Sequence, residues 1–240
     1  MAALKDAATS FASELADLVS AFAGRDVTFT AEAQGDRVLV EPQGGHVALK
    51  IGDVDALCVE IRYKCMLNST QGHLATETST VKVHAGAEPA SEPLFRYEYD
   101  RTTSDHVPSA HLQLHAHRDE LGFVMGRAAQ SGARRRTKNI ATPRLGAAMR
   151  DLRFPVGGHR FRPALEDVLD MMRFELGVTP GERWLESSGR HRERYRRRQL
   201  AAAVSDCPSE AVAELRRMGY SVHAPADGPR ADSPAKLVRY

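Results

Sequence analysis

The chain has no apolar run long enough to cross a membrane, and it has few cysteines. A membrane-spanning helix needs about 20 consecutive apolar residues, and no segment of this 240-residue sequence approaches that length. The N-terminus lacks the basic and apolar regions of a secretory signal peptide. The three cysteines, Cys58, Cys65 and Cys207, are too few for a disulfide framework. We therefore expect a cytoplasmic protein with reduced thiols and no membrane contact.

Common nucleotide-binding and metal-binding motifs are also missing. The sequence contains no zinc-finger spacing, no Walker loop and no RNP-like motif. Lysine is scarce, with 6 residues against 27 arginines. A GC-rich genome alone can produce such a ratio, so the arginine content does not by itself indicate a nucleic-acid partner.

The small net charge of +2 conceals a polarised distribution. Residues 1–126 carry 10 Lys and Arg against 18 Asp and Glu, whereas residues 127–198 carry 18 against 8. Residues 199–240 are balanced, with 5 of each sign. This asymmetry favours either nucleic-acid contact through the basic segment or packing of unlike halves against each other.

Hydrophobic periodicity predicts an α+β fold. A stripe of apolar residues at helical spacing occupies residues 4–23, and alternating patterns predict six or seven strands between residues 27 and 117. Because no helices intervene, we expect an antiparallel sheet with one covered face, and its Thr-rich strand at residues 73–84 near an edge. A helix starting at Pro163 and two more within residues 181–219 form a C-terminal helical part.

The predicted organisation has three parts around one continuous core. Residues 1–126 form the helix and the sheet, and residues 127–222 form a basic, mainly helical part packed on that sheet. A tail over residues 223–240, rich in Pro, Asp, Gly and Ser, is expected to be disordered.

Residues 111–117, His-Leu-Gln-Leu-His-Ala-His, are the most informative segment. On a strand, His111, Gln113, His115 and His117 line one face, and the leucines line the other. If the strand at residues 94–101 pairs with this one, facing side chains lie about 5 Å apart. The candidate catalytic residues on the shared face are His111, His115, His117, Glu98 and Asp100.

Three readings of this face stay open. Arg62, Lys64 and Arg96 are candidate phosphate-binding residues beside a metal-free acid–base site. Alternatively, His115 and His117 bind a divalent metal, because residues i and i+2 of a strand lie about 6.6–6.8 Å apart and can converge on one ion. A third ligand would come from Glu98, Asp100, Asp105 or His106, while His111 is too distant. The third reading is a solvated polar face.

The same region has a local resemblance to known proteins. Residues Phe95-Arg-Tyr-Glu-Tyr-Asp100, then Asp105-His-Val-Pro-Ser-Ala-His111 and the closing histidines, resemble a motif of small bacterial toxins from toxin–antitoxin pairs. In those toxins an Arg-Tyr-Asp-type strand precedes a Pro- and His-rich strand. The resemblance implies a small cytoplasmic effector acting on RNA or nucleotides. The chain departs from the motif in lacking paired histidines after the aspartate and in its large helical C-terminal part.

Two basic clusters are candidate nucleic-acid contacts. Such clusters neutralise phosphates and give affinity that depends on salt more than on base sequence. The alternatives are a solvated face and packing against the acidic N-terminal half. The first cluster is predicted to lie in a loop and the second on a helix, and their members are Arg134, Arg135, Arg136 and Lys138, then Arg190, Arg194, Arg197 and Arg198.

Two main functional hypotheses follow. In the first, the protein is a cytoplasmic nucleic-acid- or nucleotide-directed enzyme, a toxin or defence effector, that uses its His- and Arg-lined sheet face. In the second, it is a non-enzymatic nucleic-acid-binding or regulatory protein-interaction module that acts through residues 127–198. A third option makes the sheet face a protein–protein interface. The sequence indicates neither the reaction nor the oligomeric state.

Overall fold

The computed structural model describes residues 2–68, 73–103, 108–115, 154–156 and 162–237. The strands of this part are β1 (Phe29–Gln34), β2 (Arg37–Pro42), β3 (Val47–Ile51), β4 (Val54–Leu67), β5 (Leu74–Ala85), β6 (Phe95–Asp100), β7 (Ala110–Leu114) and β8 (Phe154–Pro155). The helices are α1 (Ala2–Ala23), α2 (Leu165–Leu176), α3 (Trp184–Asp206), α4 (Pro208–Arg217) and α5 (Pro234–Leu237). The predicted α+β class, with an N-terminal helix, an antiparallel sheet and C-terminal helices, is confirmed.

All neighbouring strands pair antiparallel in one sheet of order β1-β2-β4-β5-β6-β7-β8, with β3 also paired to β4. Seven of the eight strands lie between residues 29 and 114, as the alternating patterns predict. The eighth is a two-residue strand, Phe154–Pro155, in a segment whose sequence resembles a turn.

The expectation that the Thr-rich strand lies near an edge is wrong. Strand β5 lies between β4 and β6, and it pairs with β4 along nearly its whole length and with β6 from Thr78 to Val83. Its Val81 and Val83 reach the core, and only its other face is polar. A central strand of an antiparallel sheet can keep one face in solvent. A polar alternating pattern therefore cannot separate an edge strand from a central strand of this kind.

Helices α1 and α2 cover the apolar side of the sheet. The buried apolar residues form one cluster drawn from α1, six strands, α2 and the start of α3. Leu15, Leu18 and Phe22 of α1 follow helical spacing, which places them on the face toward β1 and β2. The Trp184 ring packs edge-on against Phe22, with centroids 4.7 Å apart, and its Nε1 donates to Asp170 at 2.9 Å.

The C-terminal region lies outside this core. Helix α4 has no buried residue, although it is amphipathic. The tail for which the sequence predicts disorder is described as far as Leu237, and Lys236 contacts the buried Asp206 at 2.9 Å. No helix within the described ranges combines the length and the apolarity needed to cross a membrane.

Candidate functional site

The side of the sheet opposite the helices carries polar side chains from four strands, and we call it the polar face. These side chains alternate with core residues along each strand, as period-two geometry requires. Antiparallel register arranges most of them in two cross-strand rows, and it confirms that the strand at residues 94–101 pairs with the histidine strand. The rows are Glu60–Lys82–Arg96–Gln113 and Arg62–Thr80–Glu98–His111.

His111 forms a hydrogen-bonded pair with Glu98. The His111 Nε2 lies 3.1 Å from Glu98 Oε2, and its Nδ1 lies 3.1 Å from the carbonyl oxygen of Pro108. Because a carbonyl oxygen can only accept, Nδ1 carries a hydrogen, and the imidazole and the carboxyl share a proton between Nε2 and Oε2. In this arrangement His111 has no lone pair to offer a metal ion.

Burial assigns different positions to the two members of the pair. His111 is 4% exposed, whereas the Glu98 side chain is 25% exposed. Glu98 is therefore the group that faces solvent, and His111 is its buried hydrogen-bond partner. The sequence pattern makes both residues catalytic candidates and does not distinguish these positions.

Arg96 is anchored next to this pair through one of its nitrogens. Its Nε donates to Gln113 Oε1 at 2.5 Å and lies 3.4 Å from Glu98 Oε1. Gln113 is almost fully buried and holds the guanidinium in place. Among the described residues, the two terminal nitrogens of Arg96 donate no hydrogen bond. The Arg96 fork is therefore open to an acceptor.

The other predicted phosphate ligands do not converge on Arg96. Arg62 Nε contacts Glu41 of β2 at 2.8 Å, and Lys64 Nζ contacts Glu77 at 3.3 Å. The partner of Arg62 belongs to β2 and that of Lys64 to β5, and strand β5 lies between both cations and Arg96. Glu77 also accepts from Arg37, and this hydrogen bond is the main cause of the lowered pKa of the Glu77 carboxyl.

Lys82 is the cation that the structure places beside Arg96, and the sequence pattern does not reveal it. The two residues are direct cross-strand partners on β5 and β6. The Lys82 Nζ contacts Glu60 Oε2 at 2.8 Å. Burial by itself raises the pKa of Glu60, but the hydrogen bond and charge of Lys82 outweigh it, so the pKa is lowered. Only the strand order reveals this neighbour.

A buried histidine and cysteine also face each other on this side of the sheet. His84 is the cross-strand partner of Cys58. Among the described residues neither ring nitrogen of His84 has a hydrogen-bond partner, and its Nε2 lies 3.7 Å from Glu60 Oε2. Burial, with the charges of Glu88 and Glu60, raises the pKa of Cys58 to about 11. The thiol is thus protonated at neutral pH and is a poor nucleophile.

The remaining candidates of this region divide into described and undescribed residues. His115 follows β7, and its backbone N–H donates to Leu94 at 2.9 Å. Asp100 accepts two 2.7 Å hydrogen bonds from Thr102 and so caps the turn after β6. His117, Asp105 and His106 lie outside the described residues, and the described ones contain no group of three metal ligands.

Known proteins give no further guidance to the chemistry of this site. Protein-family models, curated proteins and solved structures contain no match to this chain.

The basic residues of α3 contact acidic residues of α1. Arg194 and Arg198 both contact Glu14, Arg198 through two hydrogen bonds of 2.9 and 3.1 Å. Arg190 contacts Asp17 at 3.2 Å. Burial tends to raise the pKa of Glu14, but the Arg198 hydrogen bond and the two arginine charges lower it overall. These contacts correspond to the packing alternative for this cluster.

Arg197 and Arg192 differ from the α3 arginines that contact α1. Arg197 is 77% exposed and contacts Glu193 of its own helix. Arg192 is the least exposed of the α3 arginines in these ion pairs, and it contacts Asp167 and Asp170 of α2 at 3.0 and 2.5 Å. The sequence pattern does not single it out. The loop cluster Arg134, Arg135, Arg136 and Lys138 lies outside the described residues.

Proposed function

We propose that the protein is a cytoplasmic effector that acts on a nucleotide or a nucleic acid at the polar face. The observation that carries the proposal is the cross-strand pair of Glu98 and His111, hydrogen-bonded at 3.1 Å beside the anchored guanidinium of Arg96. Such a site combines a proton-transferring group with a phosphate-binding cation, as reactions at phosphate esters require. The local resemblance to toxins of toxin–antitoxin pairs supports the same substrate class.

Glu98 acts as the acid–base group in this proposal. Its carboxyl reaches solvent, and its protonation is coupled to His111 through the shared proton. General acid–base catalysis contributes typically 10²–10⁴-fold to a rate. His111 is a positioning residue, because it lies behind Glu98 and donates Nδ1–H to the chain at Pro108.

Arg62 and Lys64 serve as outer contacts for an extended ligand. Their side chains are 51% and 43% exposed, and each is paired with a carboxylate. The carboxylates themselves are only 20% and 10% exposed, so the two cations are the exposed members of these pairs. An extended ligand can contact these cations while they stay paired.

The alternative, a binding module that acts through the basic segment, has less support from the described residues. Arg190, Arg194 and Arg198 are already paired with α1. On α3, Arg196 and Arg197 extend furthest into solvent, with side chains 69% and 77% exposed.

The test compares Glu98→Gln with Glu88→Gln in assays of RNA cleavage and of ATP and GTP turnover. Glu88 is a matched control because its carboxylate is exposed and pairs with His46, away from the Glu98–His111 pair. We expect Glu98→Gln to reduce turnover about 100-fold or more at unchanged thermal stability. Glu88→Gln should match the parent protein.

Two results would overturn the proposal. One is full turnover in a folded Glu98→Gln protein. The other is no turnover, and no salt-dependent binding, of single-stranded RNA, ATP or GTP by the parent protein.

A further inference from the structure

Two cations stand directly opposite each other at the centre of the polar face. Lys82 on β5 and Arg96 on β6 are cross-strand partners, so their Cβ atoms lie about 4.5–5.5 Å apart. Like charges in this position destabilise a sheet. Both side chains are about equally exposed, at 30% and 28%, so water reaches them only in part.

The partners of the two cations lie on opposite sides of the pair. Lys82 contacts Glu60, on β4, whereas Arg96 contacts Gln113, on β7, and Glu98 of its own strand. The row therefore runs carboxylate, cation, cation, amide, and no carboxylate of that row lies between the two cations. An anion between them would relieve their mutual repulsion.

Arg96 is preorganised to bind such an anion. Its Nε is fixed by the buried Gln113, while the terminal nitrogens have no hydrogen-bond partner within the described ranges. A guanidinium fork fixed at one side matches two oxygens of a phosphate. Lys82 supplies a mobile second charge, since one contact to Glu60 uses only part of its donor capacity.

The charge of the pair selects among phosphate ligands. A phosphomonoester carries about −1.5 to −2 charge at pH 7, whereas each phosphodiester of a nucleic-acid backbone carries only one negative charge. Two adjacent cations fit the monoester better than one internal diester. We infer that Lys82 and Arg96 form a subsite for a terminal phosphomonoester, such as the 5′-phosphate of an oligonucleotide or nucleotide.

This subsite deepens the proposed function, on which it rests for the identity of the whole ligand. Arg96 is shared between the phosphate and the Glu98–His111 pair, since its Nε lies 3.4 Å from Glu98 Oε1. A terminal phosphate bound there would lie next to the acid–base group. The subsite thus fixes one end of the ligand relative to that group.

The test measures the affinity of the full chain for the same single-stranded RNA with a 5′-phosphate and with a 5′-hydroxyl, and for inorganic phosphate. We expect at least tenfold tighter binding of the 5′-phosphorylated RNA, and we expect Lys82→Met and Arg96→Met to abolish that preference. Lys50→Met is the control, because it removes the same charge from strand β3, which pairs with β4 and not with β5 or β6. It should keep the preference, and circular dichroism should show that all variants are folded.

The outcomes separate this inference from the proposed function. Equal affinity of the parent protein for the two RNAs overturns the subsite, as does a preference that survives in Lys82→Met or disappears in Lys50→Met. Phosphate binding that requires Lys82, without any RNA or nucleotide binding, supports the subsite and refutes the proposed ligand class. RNA binding and turnover that require Glu98 but do not depend on the 5′-phosphate support the proposed function and refute the subsite.

Discussion

Helix α3 and the polar face both carry rows of cations, and most of these cations contact carboxylates. On α3 the partners belong to other elements, since Arg194 and Arg198 contact Glu14 of α1 and Arg192 contacts two aspartates of α2. On the polar face the partners of the cations come from the same sheet. The first set therefore joins separate parts of the chain, and the second joins strands that backbone hydrogen bonds already hold.

This difference separates structural from functional charge. Removing an α3 arginine that contacts α1 or α2 weakens the attachment of α3 to that helix, so we expect a loss of stability. Removing a polar-face cation leaves the sheet intact, so any effect should appear in ligand binding.

Arg192→Met should cause the largest loss of stability. The Arg192 side chain is 23% exposed and contacts both Asp167 and Asp170, and Asp170 also accepts from Trp184. Removing one partner of a largely buried ion pair leaves an uncompensated charge, and here we expect a loss of about 2 kcal/mol in unfolding free energy. Urea denaturation measures this loss. Arg197→Met, at a 77% exposed position, is the control and should change the value by less than about 0.5 kcal/mol.

Glu14→Gln should cause a smaller, pH-dependent loss. The carboxylate accepts from two arginines that are about half exposed, so we expect about 1 kcal/mol at pH 7. Because these arginines lower the pKa of Glu14 in the folded state, its contribution is present above the unfolded pKa and is lost as pH falls through the folded pKa. Urea denaturation at pH 7 and pH 3 should show the gap to the parent protein closing. A gap that is constant with pH would contradict the assignment.

Glu166→Gln, in contrast to Glu14→Gln, should raise the unfolding free energy at pH 7. Burial raises the pKa of Glu166, and the charge of Asp167 adds to this, although His191 and Arg192 partly oppose it. A raised folded-state pKa means that ionisation at neutral pH disfavours the folded state, and that this cost vanishes as pH falls below the unfolded pKa. The variant should therefore be the more stable protein at pH 7, with an advantage that shrinks toward pH 4. Lower stability than the parent at pH 7 would show that the carboxylate is stabilised by His191 or Arg192.

The sequence predicts which face of its strand or helix a residue lies on better than it predicts which elements lie side by side. Successive side chains of a strand point to opposite faces, so period-two alternation places Glu98, His111 and Gln113 on one side of the sheet. The apolar residues between them lie on the covered side. Helical spacing likewise groups Arg190, Arg194 and Arg198. Both inferences use only local geometry.

The contacts that decide chemistry depend on which elements meet. Lys82 lies beside Arg96 only because β5 and β6 pair in one particular register. The order of burial in the Glu98–His111 pair depends on packing around β7, which no local pattern encodes. For the same reason Arg192, which faces two carboxylates of α2, cannot be told from the other arginines of its helix.

Arg62→Met should have the smallest effect on stability and thereby complete the comparison. Its guanidinium contacts Glu41 at a distance similar to those on α3, 2.8 Å, but the side chain is 51% exposed and both residues belong to the sheet. We expect a loss of less than about 1 kcal/mol in unfolding free energy, because the guanidinium is half exposed, although Glu41 is only 20% exposed. If urea denaturation instead gives a loss equal to that of Arg192→Met, the pairs on the polar face are structural. Its cations would then be unavailable to a ligand.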